Sequence, residues 1–154
     1  MTLHFAYGSN MSRPLMRKRC PAAQAIGRAT LVGRRFVITP DGYGSVAAHA
    51  GAIVHGVLWR LTPRDLAALN AYESLDCGLY VRRILAVRCG TRRLPALTFV
   101  ASREGEGAPR PGYIAIVADA AREWNFPEAY IRSLTRWSAS RWRGPRYKDT
   151  GDVG

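Results

Sequence analysis

The sequence predicts an α+β fold in which a small mixed or antiparallel sheet is flanked by helices. Three observations lead there. Short stretches of alternating apolar and polar residues, bounded by glycine, proline and asparagine, recur through the first two-thirds of the chain. Proline-marked helix starts lie between and after them. The 154 residues, 47% hydrophobic and 22% charged, suffice for one compact core, which argues against a solenoid, a disordered chain or a multidomain protein.

Leu3, Phe5 and Tyr7 alternate with His4 and Ala6, which predicts a strand running into a tight polar loop at Gly8-Ser9-Asn10. Asn10 or Ser12 then caps a helix with Pro14 in its first turn, Leu15 and Met16 inward and the basic cluster facing water. Residues 28 to 38 read as a strand with a bulge at Gly33, ended by Pro40-Asp41-Gly42. The small side chains from Gly42 to Gly51 predict a loop that moves or approaches other backbone closely. Val54 to Leu61 resumes a strand, with Val57, Trp59 and Leu61 on one face and Arg60 on the other.

Thr62-Pro63-Arg64-Asp65 is a helix start: a threonine cap, a proline and an acid in the first turn. Leu66, Leu69 and Glu73 fall at i, i+3 and i+7, so a helix that continues to Glu73 puts a carboxylate on its inward stripe. If the helix ends sooner, Glu73 is exposed or caps something. Asp76-Cys77-Gly78 predicts a turn, and Tyr80 to Val87 and Leu94 to Val100 predict an antiparallel pair. Ser102 to Pro111 reads as a surface loop. Tyr113, Val117, Ala120 and Trp124 share one helical face. Asn125 ends that helix, and Pro127-Glu128 opens another with Tyr130, Ile131, Leu134 and Trp137 toward the core. The reading gives one domain over residues 1–137 and a basic extension over 138–154 with a frayed end.

The net charge is +12, and the first acid is Asp41. Such a field attracts small anions, acidic partners or nucleic acid, or simply solvates the surface. Arginines near the carboxyl terminus, interleaved with Trp137, Trp142 and Tyr147, keep a nucleic-acid or protein-binding module open, although no RNA-binding signature occurs. Cys20, Cys77 and Cys89 form no CxxC pair, and there is neither a signal-peptide pattern nor a long apolar run. A cytoplasmic protein with no membrane contact is expected, its oligomeric state left open.

The histidines and cysteines match no short-spacing zinc pattern, so no metal is expected. A Walker loop, a G-x-G-x-x-G fingerprint and a G-x-S-x-G elbow are all absent. Two features remain. In Tyr7-Gly8-Ser9-Asn10 a bend lets successive amides converge on an oxyanion, or makes an ordinary turn. Glu73, followed after the turn by Tyr80, is a general base if burial raises its proton affinity.

Taken in order, Tyr7-Gly8-Ser9-Asn10-Met11, Val54-His55-Gly56-Val57-Leu58-Trp59, Leu69-Asn70-Ala71-Tyr72-Glu73 and Gly78-Leu79-Tyr80 resemble the gamma-glutamylcyclotransferase-like family. That family includes the gamma-glutamylamine cyclotransferases and the plant avirulence-induced-gene-like proteins. Pro111-Gly112-Tyr113 and Pro127-Glu128-Ala129-Tyr130 are similar to its carboxyl-terminal portion. The resemblance implies a barrel-like sheet, a substrate-cradling loop at Tyr7, Gly8, Ser9, Asn10 and Met11, a catalytic acid/base at Glu73, and pocket tyrosines at Tyr80 and Tyr113. Ser74 stands where the family commonly has glycine, and Phe99 where a pocket tyrosine is expected.

The implied reaction cyclises a small γ-glutamyl substrate to 5-oxoproline and releases an amine or amino acid, with no cofactor. The α-amine attacks its own γ-carbonyl, so the enzyme has to deprotonate the amine, hold the conformer and stabilise the oxyanion. A noncatalytic binder of a small acidic metabolite is the other use of the same cavity. Tyr7 also alternates with Phe5 and Leu3, which predicts an inward ring whatever the chemistry.

Overall fold

In the computed structural model, which describes residues 1–72 and 79–139, five strands close into a barrel. They are β1 (Thr2–Ala6), β2 (Gln24–Ile38), β3 (Gly44–Leu61), β4 (Tyr80–Cys89) and β5 (Arg92–Ala101), arranged around the ring as β1-β3-β2-β4-β5. Neighbours are antiparallel except β1 and β5, which close the ring in parallel with His4 opposite Leu97. The sheet is thus mixed, and the α+β barrel expected from the sequence is what forms.

The longest hairpin, β2–β3, runs from Gln24 opposite Arg60 to Ile38 opposite Gly44. Its register shifts between Val32 and Arg34, around Gly33 at φ 83°, which is the predicted bulge. A second shift between Ala25 and Gly27 extends the strand four residues earlier than the alternation from residue 28 suggests. One expectation is corrected here: Gly44 to Gly51 is strand, not loop. Phe36, Arg35 and Arg34 pair with Val46, Ala47 and Ala48, so the β2 ladder holds the backbone extended whatever the side-chain volume. Ala48, His49, Ala50 and Gly51 are exposed, and there the hairpin has no core to fill.

Four helices are described: α1 (Arg13–Arg19), α2 (Pro63–Tyr72), α3 (Tyr113–Glu123) and α4 (Glu128–Thr135). Ser12, rather than Asn10, caps α1, its Oγ accepting from the Leu15 amide at 3.4 Å. Thr62 caps α2, its Oγ1 accepting from the Asp65 amide at 3.1 Å. α3 buries Tyr113, Val117 and Ala120, with Trp124 just beyond its end, as the spacing predicts. Asn125 then turns the chain in the left-handed region at φ 56°, and Ile131 and Leu134 of α4 enter the core.

The basic cluster of α1 does not all face water. Arg17 and Lys18 do, but Arg19 is 3% exposed, because it lies four residues after Leu15 and so continues the inward stripe. Glu73, Ser74, the Asp76-Cys77-Gly78 turn and residues 140–154, with Trp142 and Tyr147, lie outside the described residues. Among the described residues no helix is long and apolar enough to cross a membrane.

Candidate functional site

β1 delivers the chain into a single 3-10 turn, Ser9–Met11, immediately after Tyr7 and Gly8. The Met11 amide donates to the Gly8 carbonyl at 3.1 Å and the Ser12 amide to the Ser9 carbonyl at 3.0 Å. Those two bonds leave the preceding amides, of Ser9 and Asn10, out of the turn's own hydrogen bonding. The turn is inside the protein: Ser9 is 0% and Asn10 1% exposed.

Two neighbours, Arg19 and Trp124, fix it. Arg19 Nη1 donates to Ser9 Oγ at 2.8 Å and to Asn10 Oδ1 at 2.7 Å. Trp124 Nε1, past the end of α3, donates to the Met11 carbonyl at 2.8 Å, while the Met11 side chain is wholly buried in the core. The Arg19 guanidinium carbon also lies 5.6 Å from the centroid of the Tyr72 ring, within cation–π range. Tyr72 is the last residue of α2 and precedes Glu73 in the chain.

The three tyrosines are all buried, and each hydroxyl is held by main chain. The Tyr7 hydroxyl donates to the Phe99 carbonyl. The Tyr80 hydroxyl donates to the Gly44 carbonyl at 2.6 Å, and the Tyr113 hydroxyl accepts from the Gly44 amide at 3.1 Å. Phe36 connects these pieces: its ring meets Tyr7 edge-on at 6.4 Å and also lies beside Gly44. A Cβ on Gly44 would fall 2.8 Å from both a Phe36 ring carbon and the Tyr113 oxygen, so glycine is what admits the aromatic side chains here.

The structure therefore brings Ser9 and Asn10 together with Arg19 and Tyr72, and Tyr7, Tyr80 and Tyr113 together around Phe36 and Gly44. Phe99 is 1% exposed, with its ring edge-on to His4 at 5.5 Å. Arg19 and Gly44 are the two residues that reading for chemistry missed. The first had a signal, a cation on the apolar stripe of α1, which is the same pattern that singled out Glu73. Gly44 had none, since its role depends on partners distant in sequence.

Burial pushes the His4 imidazole down to about 4, against a smaller upward pull from its bond to the Leu97 carbonyl. His55, on the outer side of the barrel, is lowered by burial and by nearby Arg28, and burial raises the Tyr130 phenol above its ordinary value. Among the described residues no group of three or more His, Cys, Asp or Glu side chains is placed to hold a metal ion.

Residues 53–134, more than half of the chain, match the model of the AIG2-like family. Over 98% of its length the chain is 23% identical to gamma-glutamylcyclotransferase from Mus musculus and 24% identical to that from Homo sapiens, covering 86% of each relative. A solved structure of a gamma-glutamyl cyclotransferase superposes with a TM-score of 0.83 over 96% of this chain and 94% of that one, at 22% identity. At that identity the superposition speaks for a shared fold.

Proposed function

The chain belongs to the AIG2-like family, and on that footing we propose that it is a gamma-glutamylcyclotransferase-type enzyme acting on a small γ-glutamyl compound. The substrate's α-amine attacks its γ-carbonyl carbon, a C–N bond forms, and a tetrahedral oxyanion appears. Glu73 takes the ammonium proton and returns it to the leaving nitrogen. The old C–N bond then breaks, releasing 5-oxoproline and the free amine. The amides of Gly8, Ser9 and Asn10 receive the α-carboxylate or the oxyanion, and Tyr7, Tyr80 and Tyr113 shape the pocket with Met11 beneath the loop.

One observation carries this reading: Arg19 reaches from Ser9 and Asn10 to the Tyr72 ring, so the loop and the helix end that precedes Glu73 are close neighbours. Support also comes from the relatives named gamma-glutamylcyclotransferase, which this chain matches along nearly its whole length. Ring closure supplies proximity, so a well-held carboxylate and a set of fixed donors account for the remaining work.

Mass-spectrometric screening of γ-glutamyl peptides and γ-glutamylamines for 5-oxoproline release tests the proposal. Glu73→Gln is expected to slow turnover of any positive substrate by roughly 10²–10⁴-fold, the usual worth of a general acid/base. Unchanged turnover in that variant removes Glu73 from the mechanism, and no release from any γ-glutamyl compound removes the activity.

A further inference from the structure

None of the five strands contains an Asp or Glu, yet together they carry nine arginines. On the outer wall of the barrel some of these cations converge. Thr30 of β2 lies directly between His55 of β3 and Arg88 of β4, and Arg88 in turn is opposite Arg93 of β5. Residues opposite one another in a sheet project from the same face, at about 4.8 Å per strand, so these four form one row. Arg28, two residues before Thr30 on the same strand, stands on that face as well.

Beside the row is a cleft of about 300 Å³, whose lining includes Arg28, Thr30, His55, Arg88, Gly90 and Phe126. No Asp or Glu is among its described lining residues. Arg28 is oriented by one bond, Nη1 donating to the Asn125 carbonyl at 3.0 Å, and a guanidinium has five N–H donors to give. Ion pairs form at Arg35, Arg103 and Arg122, and among the described residues no acid pairs with Arg28, Arg88 or Arg93. Like charges directly opposite in a sheet repel, so Arg88 and Arg93 face each other at a cost to the fold. The His55 imidazole senses the same field, its pKa lowered first by burial and then by Arg28.

We propose that this cleft binds the phosphate group of a small phosphorylated ligand. A phosphate dianion brings the negative charge that the row lacks. Its oxygens accept from the guanidinium forks of Arg28 and Arg88, from the Thr30 hydroxyl and from a ring N–H of His55. These donors arrive from three different strands, which suits a tetrahedral anion better than a carboxylate with one charge and two oxygens in a plane. The volume matches the lower end of small-ligand clefts and leaves room for the group that carries the phosphate. Arg88 lies eight residues along β4 from Tyr80, roughly 25 Å of extended chain, so this cleft is separate from the tyrosines around Gly44. The assignment therefore stands or falls independently of the cyclotransferase reading.

NMR titration at neutral pH and constant ionic strength tests it, followed through the Thr30 and Arg88 amides and the His55 imidazole. The ligands are inorganic phosphate, glycerol phosphate, acetate and a short single-stranded oligonucleotide. Glycerol phosphate is expected to saturate in the millimolar range or below, at least about 10-fold more tightly than acetate. Arg28→Gln and Arg88→Gln are each expected to weaken it by about 10-fold or more, as loss of a charge-assisted donor does. Both side chains are exposed, so the variants are expected to fold, with near-UV circular dichroism as the check. Should one fail, the other carries the test. Arg82→Gln, an exposed arginine elsewhere on β4, is expected to leave binding unchanged. No saturable shift with either phosphate compound, equal affinity for acetate, or an equal loss in Arg82→Gln overturns the proposal. An oligonucleotide that displaces glycerol phosphate at much lower concentration also overturns it, since the wall would then be a surface for a polynucleotide.

Discussion

Tyr80 and Tyr113, separated by a strand hairpin and a loop, hold the two ends of one residue: Tyr80 donates to the Gly44 carbonyl and Tyr113 accepts from the Gly44 amide. The phenols thus act through the same buried backbone. Tyr80→Phe and Tyr113→Phe each strand one polar group of Gly44, at about 1–3 kcal/mol. Because the partner is shared, the double variant is expected to depart from additivity by about 0.5 kcal/mol or more. Urea unfolding of the four proteins in the cycle measures it, and strict additivity would mean that the two bonds are independent.

Two glycines are expected to respond differently to a single methyl group. At Gly44 a Cβ meets side-chain atoms, a Phe36 ring carbon and the Tyr113 oxygen, at 2.8 Å. At Gly56 it meets the Ala6 backbone oxygen at 2.4 Å and the Phe5 ring at 2.6 Å. Rings can tilt, whereas the β1 backbone is pinned by its pairing with β3. Gly44→Ala is expected to cost about 1–3 kcal/mol and Gly56→Ala more than that, as overpacking against main chain does. Thermal unfolding ranks them. If the protein cyclises γ-glutamyl substrates, Gly44→Ala should lose activity even where it remains folded, since the phenols move with it.

His4 makes stability depend on pH. Its Nδ1 hydrogen is donated to the Leu97 carbonyl at 3.0 Å, and buried Nε2 has no partner to receive a second proton. The folded protein holds the imidazole at about 4 and the unfolded chain at 6.5, so between those values the unfolded state binds more protons. Stability from this group is therefore present above pH 6.5 and is lost as pH falls toward 4. At about 1.4 kcal/mol per pH unit the loss reaches about 3 kcal/mol. Chemical unfolding at pH 7 and pH 4.5, compared with His4→Asn, checks the sign. The difference between the two proteins should shrink with acid.

Much of this architecture was legible in the sequence, and the misreadings have physical causes. Alternation at Leu3, Phe5 and Tyr7 announced β1, but it marked His4 as the opposite face and not as a buried one. Closure of the barrel with helices outside covers both faces, and alternation cannot report that. The run from Gly44 to Gly51 looked like a loop because small residues carry little strand signal, while its extended form comes from a partner strand. Ser12, Thr62 and Asn125 were readable because caps and turns are local. Ser9, Asn10, Tyr80 and Tyr113 stand out as candidates in the sequence because they occur in a recognisable order. What each of them touches was not readable, because Arg19, Phe36 and Gly44 reach them through tertiary packing.

The ring is completed by a parallel joint between β1 and β5, at residues 4 and 97. One flank of β1 consequently stays open until β5, about ninety residues later in the sequence, has been synthesised. Assembly of the barrel is a high-contact-order event, slow compared with the hairpins that precede it. Any fragment ending before β5 exposes two unsatisfied sheet edges, which are templates for aggregation.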